Sequence, residues 1–281
     1  MSAAREPRSM RTLTLGPSGT YSHRAARAVA DGEIAFRESV TAVVEAVAAG
    51  ETERGVVPVE NSIEGSVTES LDALASTEVA VLREVVTPVR HALLARDEDF
   101  DRLASHSQAL AQCRSYLERE HPDAEREAVT STARGVERAR EDASVAAIAH
   151  PDAATAADEP TLRVLAEDVQ ERTSNATRFF LLGAADERTE AGGKTSIVVY
   201  PNDNYPGLLL ELLEPFAERD INLTRVESRP SGERLGDYVF HVDVAAGGYE
   251  RRLRDALDVV AALAADGWVR RLGSYDVKHV V

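Results

Sequence analysis

The sequence predicts an α/β protein in two parts, an alternating strand–helix domain over residues 10–185 and a ferredoxin-like βαββαβ unit over residues 194–275. Three observations carry this. Short apolar runs alternate with amphipathic helical stretches up to Gly183. A polar, Gly-containing segment, residues 186–193, breaks the pattern and reads as a linker. Beyond it the order becomes strand, helix, strand, strand, helix, strand.

In chain order, Arg11–Leu15 alternates as a strand and runs into Gly16-Pro17-Ser18-Gly19-Thr20-Tyr21-Ser22, followed by a helix over His23–Ala30. Strand, Gly-rich turn and helix form a site for anions, because the turn N–H groups and the helix N-terminus point at one place. Thr20 and Ser22 add hydroxyls. The lysine of a phosphate loop is missing, so a carboxylate suits this turn better than a phosphate. The plain alternative is a Gly/Pro turn with Ser22 as N-cap.

Ile34–Phe36 reads as a strand, Ser39–Ala49 as an amphipathic helix stopped by Gly50, and Gly55–Val59 as an apolar strand. Glu60, Asn61 and Ser62 then sit where that strand hands over to a helix beginning near Thr68. Val79–Pro88 and Val89–Leu94 have strand character. Ser105–Glu120 reads as one helix, with Ala109, Leu110, Cys113 and Leu117 on its apolar face and Ser105, Gln108 and Gln112 sharing another. Solvated helix surface is the plain alternative for these polar residues and the favoured one for Gln108. Glu127–Val129 is a strand, Ser131-Thr132-Ala133 caps a helix through Ala139, Ala143–Ala149 is a strand or helix start, and His150–Asp158 a short helix. Leu162–Leu165 is one more strand.

Val169–Gly183 then runs from polar residues into the apolar strand Phe179–Leu182. Asn175, Thr177 and Arg178 deliver hydrogen-bonding groups and a permanent cation to its mouth, where α/β proteins place ligand sites. A polar loop with an N-capping Ser or Asn is the plain alternative. In the second part, Thr195–Tyr200, Leu223–Ser228, Asp237–Val244 and Val269–Ser274 are strands; Leu208–Ala217 and Arg252–Ala265 are helices, the first capped by Pro206. Such a sheet has a face or edge to cover, so pairing with a second copy is expected.

Acidic residues outnumber basic ones 48 to 32, for a net charge of −16. Lysine occurs at Lys194 and Lys278 and arginine supplies the other basic residues, the balance of a cytoplasmic protein that stays soluble in concentrated salt or of a GC-rich genome. The charge argues against nucleic acid and anionic membranes as partners. No apolar run approaches the roughly 18–20 residues of a membrane span, and the N-terminal MSAAREPRSMR has no apolar core of a signal peptide. The single cysteine, Cys113, excludes intrachain disulfides, and neither a zinc pattern nor a nucleotide signature is present. Neither a metal nor an organic cofactor is expected.

The segments GPSGTYSHRAA, GVVPVENSIEGSV, VRHALLA, SHSQALAQC, SNATRFFLLG and PGLLLELLEPFAERDINLTRVESRP resemble, in order and across nearly the whole chain, the prephenate dehydratase family. The resemblance implies a two-lobed catalytic domain similar to type 2 periplasmic binding proteins, with lobe 1 over about 10–90 and 175–185, lobe 2 over about 91–174, and the site in the cleft. It also implies a C-terminal ACT regulatory domain. The family's essential threonine falls on Thr177, with Asn61, Gln112 and Ser105 as its support; Thr20, Ser22, Glu60, Ser62, Arg178 and Phe179 fall on substrate-binding positions. Arg178 is suited to a substrate carboxylate, or to a structural ion pair with an acid.

The implied reaction converts prephenate to phenylpyruvate with loss of CO2 and water, Thr177 donating to the leaving hydroxide. The implied effector is L-phenylalanine, bound between paired ACT domains near Asn204, Pro206, Gly207, Leu208 and Leu209 and near Glu227, Ser228 and Arg229. The chain departs from the family pattern at Leu208, where alanine is usual, which reshapes that pocket. A monofunctional homodimer or homotetramer is expected. Arogenate dehydratase and a noncatalytic amino-acid sensor are the alternatives; the retained Thr177, Asn61 and Gln112 argue against the sensor.

Overall fold

The computed structural model describes residues 10–155, 160–264 and 266–280. The readings of residues 1–9, of residues 156–158 of the expected His150–Asp158 helix, and of the last residue of the expected Arg252–Ala265 helix lie outside the described residues.

The elements begin with β1 (Arg11–Leu15), α1 (Tyr21–Val29), β2 (Glu33–Arg37), α2 (Val40–Ala48), β3 (Arg54–Asn61), β4 (Gly65–Ser66), α3 (Thr68–Ser76) and β5 (Val79–Pro88). The chain continues with β6 (Ala92–Ala95), β7 (Arg102–His106), α4 (Ser107–Gln112), α5 (Arg114–Glu120), β8 (Glu125–Val129), α6 (Thr132–Glu141), β9 (Val145–Ala149) and β10 (Arg163–Ala166). It closes with β11 (Ala176–Ala184), β12 (Lys194–Tyr200), α7 (Leu208–Ala217), β13 (Leu223–Pro230), β14 (Tyr238–Val244), α8 (Arg251–Leu263), β15 (Trp268–Tyr275) and β16 (Val277–His279).

These gather into two compact units, one of residues 10–15, Ala25–Val86 and Arg178–Val280, the other of Gly16–Arg24 and Thr87–Thr177. The first unit holds a sheet ordered β16-β5-β11-β3-β1-β2, with β4 on β3, and a second sheet ordered β13-β14-β12-β15. β1 pairs in parallel with β2 and β3, as strands joined by helices must. Ser39 starts α2 by accepting from the Ala42 N–H at 3.1 Å, a cap worth about 1 kcal/mol. The apolar face of α2, Val40, Val43, Val44 and Val47, is buried in the core that includes Leu13, Val57 and Val59.

The C-terminal sheet is covered on both faces, one by helices and the other by the seven-stranded sheet. Ile197, Val199, Phe240, Val242 and Val244 pack on Leu208, Leu212 and Phe216 of α7 and on Leu253, Ala256 and Val260 of α8. Val198, Tyr200, Val239, Leu272 and Tyr275 join the core of the seven-stranded sheet. Phe180 of β11 and Tyr275 of β15 meet with ring centroids 5.5 Å apart. Of the face or edge expected to need a second copy, the chain itself covers the face, and β13 remains an edge strand of its sheet.

The second unit holds a sheet ordered β10-β6-β9-β7-β8, parallel at β7–β8 and β7–β9 and antiparallel at β6–β9 and β6–β10. α6, capped by Ser131, packs its Val136 and Ala139 with Ala92, Ala104 and Ala147.

Three expectations are corrected. Ser105 is not on a helix: Leu103, Ala104 and Ser105 are buried in β7, and the helix expected through Glu120 starts at Ser107 and breaks at Cys113. Thr177 and Arg178 lie within β11, which starts at Ala176. Residues 186–193, read from the sequence as a linker, make fixed contacts. Glu187 pairs with Arg54 at 2.7 Å, Thr189 Oγ1 donates to the Ser274 carbonyl at 3.1 Å, and the Gly193 N–H donates to Asp276 at 3.1 Å. After β15 the chain adds β16, parallel to β5, where no strand was expected.

Candidate active site

In the second unit, three separate sequence motifs meet at one amide. Gln112 ends α4, His91 precedes β6, and Asn175 precedes β11. Asn175 Nδ2 donates to Gln112 Oε1 at 3.1 Å, and His91 Nε2 lies 3.0 Å from the same oxygen. Asn175 fixes Gln112 Oε1 as an acceptor, so His91 carries its proton on Nε2 and the Gln112 amide N–H groups face away as donors. The Glu171 N–H donates to the Gln112 carbonyl at 2.8 Å, and the His91 N–H to Gln170 Oε1 at 2.7 Å, pinning both backbones. His91 is 2% exposed, and burial lowers its pKa against the opposing bond from Gln112, so the ring is neutral at neutral pH. Thr177 follows Asn175 by two residues, so this network fixes the stretch that enters β11.

His91 is an addition to the residues singled out in the sequence, whereas Asn175 is already read there as a hydrogen-bonding group at the mouth of the strand. The available signal was the VRHALLA segment, where a polar ring abuts an apolar strand. Ser105 does not join the network. Its hydroxyl donates to the Ile148 carbonyl at 2.5 Å, tying β7 to β9 at the strand end from which α4 departs.

The Gly16–Ser22 turn is self-supported. Thr20 Oγ1 donates to the Pro17 carbonyl at 3.0 Å and accepts from the His23 N–H at 3.2 Å, so Thr20 rather than Ser22 caps α1. Ser22 is buried. The Tyr21 hydroxyl donates to the Arg90 carbonyl at 2.6 Å, and its ring stands edge-on to His91 and His150. Arg24 pairs with Asp152 and lies 3.0 Å from His150 Nδ1. Burial first, then the Arg24 charge, lowers the His150 pKa to about 4.

In the first unit, Asn61 Oδ1 accepts from the Ile63 and Glu64 N–H groups at 2.9 and 3.2 Å, closing the turn between β3 and β4; Ser62 is exposed on it. Glu60 sends its carboxylate to Arg178, Oε2 to Nη1 at 2.5 Å. Arg178 Nη2 also meets Glu84 at 2.7 Å and Asp243 at 2.9 Å. Burial works against the Arg178 charge, but Asp243 and Glu84 outweigh it and hold its pKa above the ordinary arginine range. The guanidinium thus answers carboxylates of the protein itself. Phe179 is 1% exposed, a core side chain.

Of the effector-site residues, Asn204 donates through Nδ2 to the Gly236 carbonyl at 2.8 Å, Pro206 is exposed, and Gly207 caps α7 with φ +99°, a left-handed conformation that excludes most other residues. Leu208 is 5% exposed and packs inward with Leu212 and Phe216, while Leu209 is exposed. The bulk at Leu208 therefore fills core. Glu227 and Arg229 bond to Ser66 and Asp72, and Ser228 is exposed between them. Among the described residues no His/Cys/Asp/Glu group could hold a metal ion, and no helix is long and apolar enough to cross a membrane.

Residues 12–187 match the family model of prephenate dehydratase and residues 202–260 that of the ACT domain. The chain is 37% identical over 275 residues to the bifunctional chorismate mutase/prephenate dehydratase of Pseudomonas aeruginosa, covering 95% of this chain and 73% of that one. It is 35% identical to the prephenate dehydratase of Lactococcus lactis subsp. lactis, covering 95% of this chain and 98% of that one. The crystal structure of a prephenate dehydratase from Arthrobacter aurescens in complex with L-Phe is 36% identical and covers 95% of this chain and 90% of its own, with a TM-score of 0.85. A family model that takes in the Gly16–Ser22 turn, the Glu60-Asn61-Ser62 turn, Gln112 and Thr177 in one span, with an ACT model after it, leaves one assignment: the chain belongs to the prephenate dehydratase family and carries a C-terminal ACT domain.

Proposed function

We propose that Thr177 donates the proton that the departing ring hydroxyl of prephenate takes as the chain converts it to phenylpyruvate. The C–C bond to the ring carboxylate breaks, its electron pair enters the ring, the C–O bond to the hydroxyl breaks as the Thr177 O–H gives up its proton, CO2 and water leave, and the Thr177 oxygen regains a proton from solvent water. Aromatisation drives the step, so the protein must align the two leaving groups and supply one proton. The observation that carries this reading is the Gln112–Asn175–His91 network, which holds the chain two residues before Thr177. An aliphatic hydroxyl is a weak acid, and donors held rigid by a buried neutral imidazole can support it as charge develops. Gln112 takes that role, and Asn61 serves as turn former and donor. Ser105 acts by fixing the strand end before α4.

Thr20 and the N–H groups opening α1 suit a substrate carboxylate, with Ser22 behind them. Glu60, Ser62, Arg178 and Phe179 are proposed as substrate-binding positions because the family's motifs fall on them; Arg178 and Phe179 lie on β11. Thr177→Ala should lower kcat by about 10²- to 10⁴-fold with little change in KM, and Thr177→Ser should restore part of it. A Thr177→Ala enzyme with wild-type kcat would remove Thr177 from the chemistry.

The ACT domain is proposed to bind L-phenylalanine around Asn204–Leu209 and Glu227–Arg229, as a feedback inhibitor. The left-handed Gly207, the inward Leu208 and the relative solved with L-Phe support this. Pairing of two ACT domains is proposed through exposed Leu209 and Leu210 and the sheet-edge strand β13, giving a homodimer or a homotetramer. The acidic, lysine-poor composition and the buried, unpaired Cys113 fit a cytoplasmic, salt-adapted enzyme.

A further inference from the structure

Asp243 lies on β14 of the ACT sheet, is 0% exposed, and reaches Arg178, the residue that follows Thr177. Its Oδ2 meets Arg178 Nη2 at 2.9 Å and Arg225 Nε at 2.8 Å, and its Oδ1 accepts from Ser196 Oγ at 2.6 Å. Arg178 in turn holds Glu60 and Glu84, and Glu84 also meets Lys194 Nζ at 2.6 Å. Three cations and three carboxylates are thus interleaved, two of the cations and one carboxylate coming from the ACT sheet.

A buried carboxylate with this many charged partners has one geometry, because any other leaves a charge uncompensated. Arg178 is held on both sides, by Glu60 of the catalytic domain and by Asp243 of the ACT domain. The same strand face repeats the connection. On β13, Arg225, Glu227 and Arg229 alternate on one side, and they bond to Asp243, to Ser66 Oγ at 2.9 Å, and to both Asp72 oxygens at 2.9 Å. Ser66 and Glu60 are register partners across the β3–β4 turn.

We propose that Asp243 is a positioning residue for the dehydratase reaction: from the ACT sheet it sets the Arg178 guanidinium, and through it the placement of Thr177 and Glu60. The proposal rests on the dehydratase reading above.

The test is steady-state turnover of prephenate by the full chain carrying Asp243→Asn, beside its thermal midpoint. The amide keeps the shape and removes the charge. We expect kcat to fall on the order of tenfold to a hundredfold, the scale of a small misplacement near the chemistry, with KM within about threefold. Asp243→Asn/Arg225→Met removes one buried charge of each sign. It should recover the thermal midpoint without recovering kcat, which a merely structural Asp243 would not allow, and it serves if the single variant fails to fold. Wild-type kcat in folded Asp243→Asn, or kcat returning with the midpoint in the double variant, would overturn the proposal. A folded wild type that turns over no prephenate would overturn the dehydratase reading first, and this role with it.

Discussion

His241 stands between register partners Val198 and Glu227 in the ACT sheet, 1% exposed, with neither ring nitrogen hydrogen-bonded among the described residues. Burial, then the Arg225 charge, lowers its pKa to about 4, against the raising effect of Asp243 and Asp72; Arg229 adds to the lowering. The unfolded imidazole titrates near 6.5, so unfolding takes up a proton anywhere between these values. Stability is full above about pH 6.5 and falls as pH drops toward 4, by about 2 kcal/mol between about pH 7 and about pH 5 from this group. Urea unfolding at the two pH values measures it. His241→Leu should flatten the difference, and an undiminished difference would acquit this ring. The polar residues that matter were unevenly legible. Thr177 stood out because it sits in a polar segment that runs into an apolar strand, and Gln112 because a motif of the resembled family falls on it. His241 and Asp243 did not, because alternation along residues 237–244 marks two faces without revealing that both are covered.

Among the elements, β15 decides how the ACT sheet seats on β5. A Cβ at Gly273 would collide with the Val81 carbonyl, so only glycine permits this approach, next to a register irregularity opposite Ser196 and Ile197. Gly273→Ala should therefore cost about 1–3 kcal/mol, the range for an overpacked site, read as a lower denaturation midpoint. An unchanged midpoint would mean that the two strands have slack. Strands bracketed by turns and helices with capping serines were legible from the sequence, as at β1, α2 and α6. β7 was missed because Leu103–Ser105 is too short to show period two and runs into a helical pattern. β16 was missed because its three residues are all exposed, and partnership with β5, 190 or more residues earlier, is a property of the fold.

For the whole molecule, a net charge of −16 repels itself, and the repulsion weakens as salt shortens the screening length from roughly 10 Å at 0.1 M to 3 Å at 1 M. The thermal midpoint should rise with KCl from about 0.1 M to molar concentrations, and a flat or falling midpoint would remove the salt-adapted reading. The order of domains was legible because motifs spread along the chain keep one order. Missing from that order was the seating of the ACT sheet, which brings Asp243 to Arg178. The central claim, a dehydratase working through Thr177 under an ACT domain, is tested most directly by phenylpyruvate formation from prephenate in molar KCl, with and without L-phenylalanine. Turnover in the wild type, lost in Thr177→Ala and reduced by L-phenylalanine, is the predicted result. A folded wild type that forms no phenylpyruvate would contradict it.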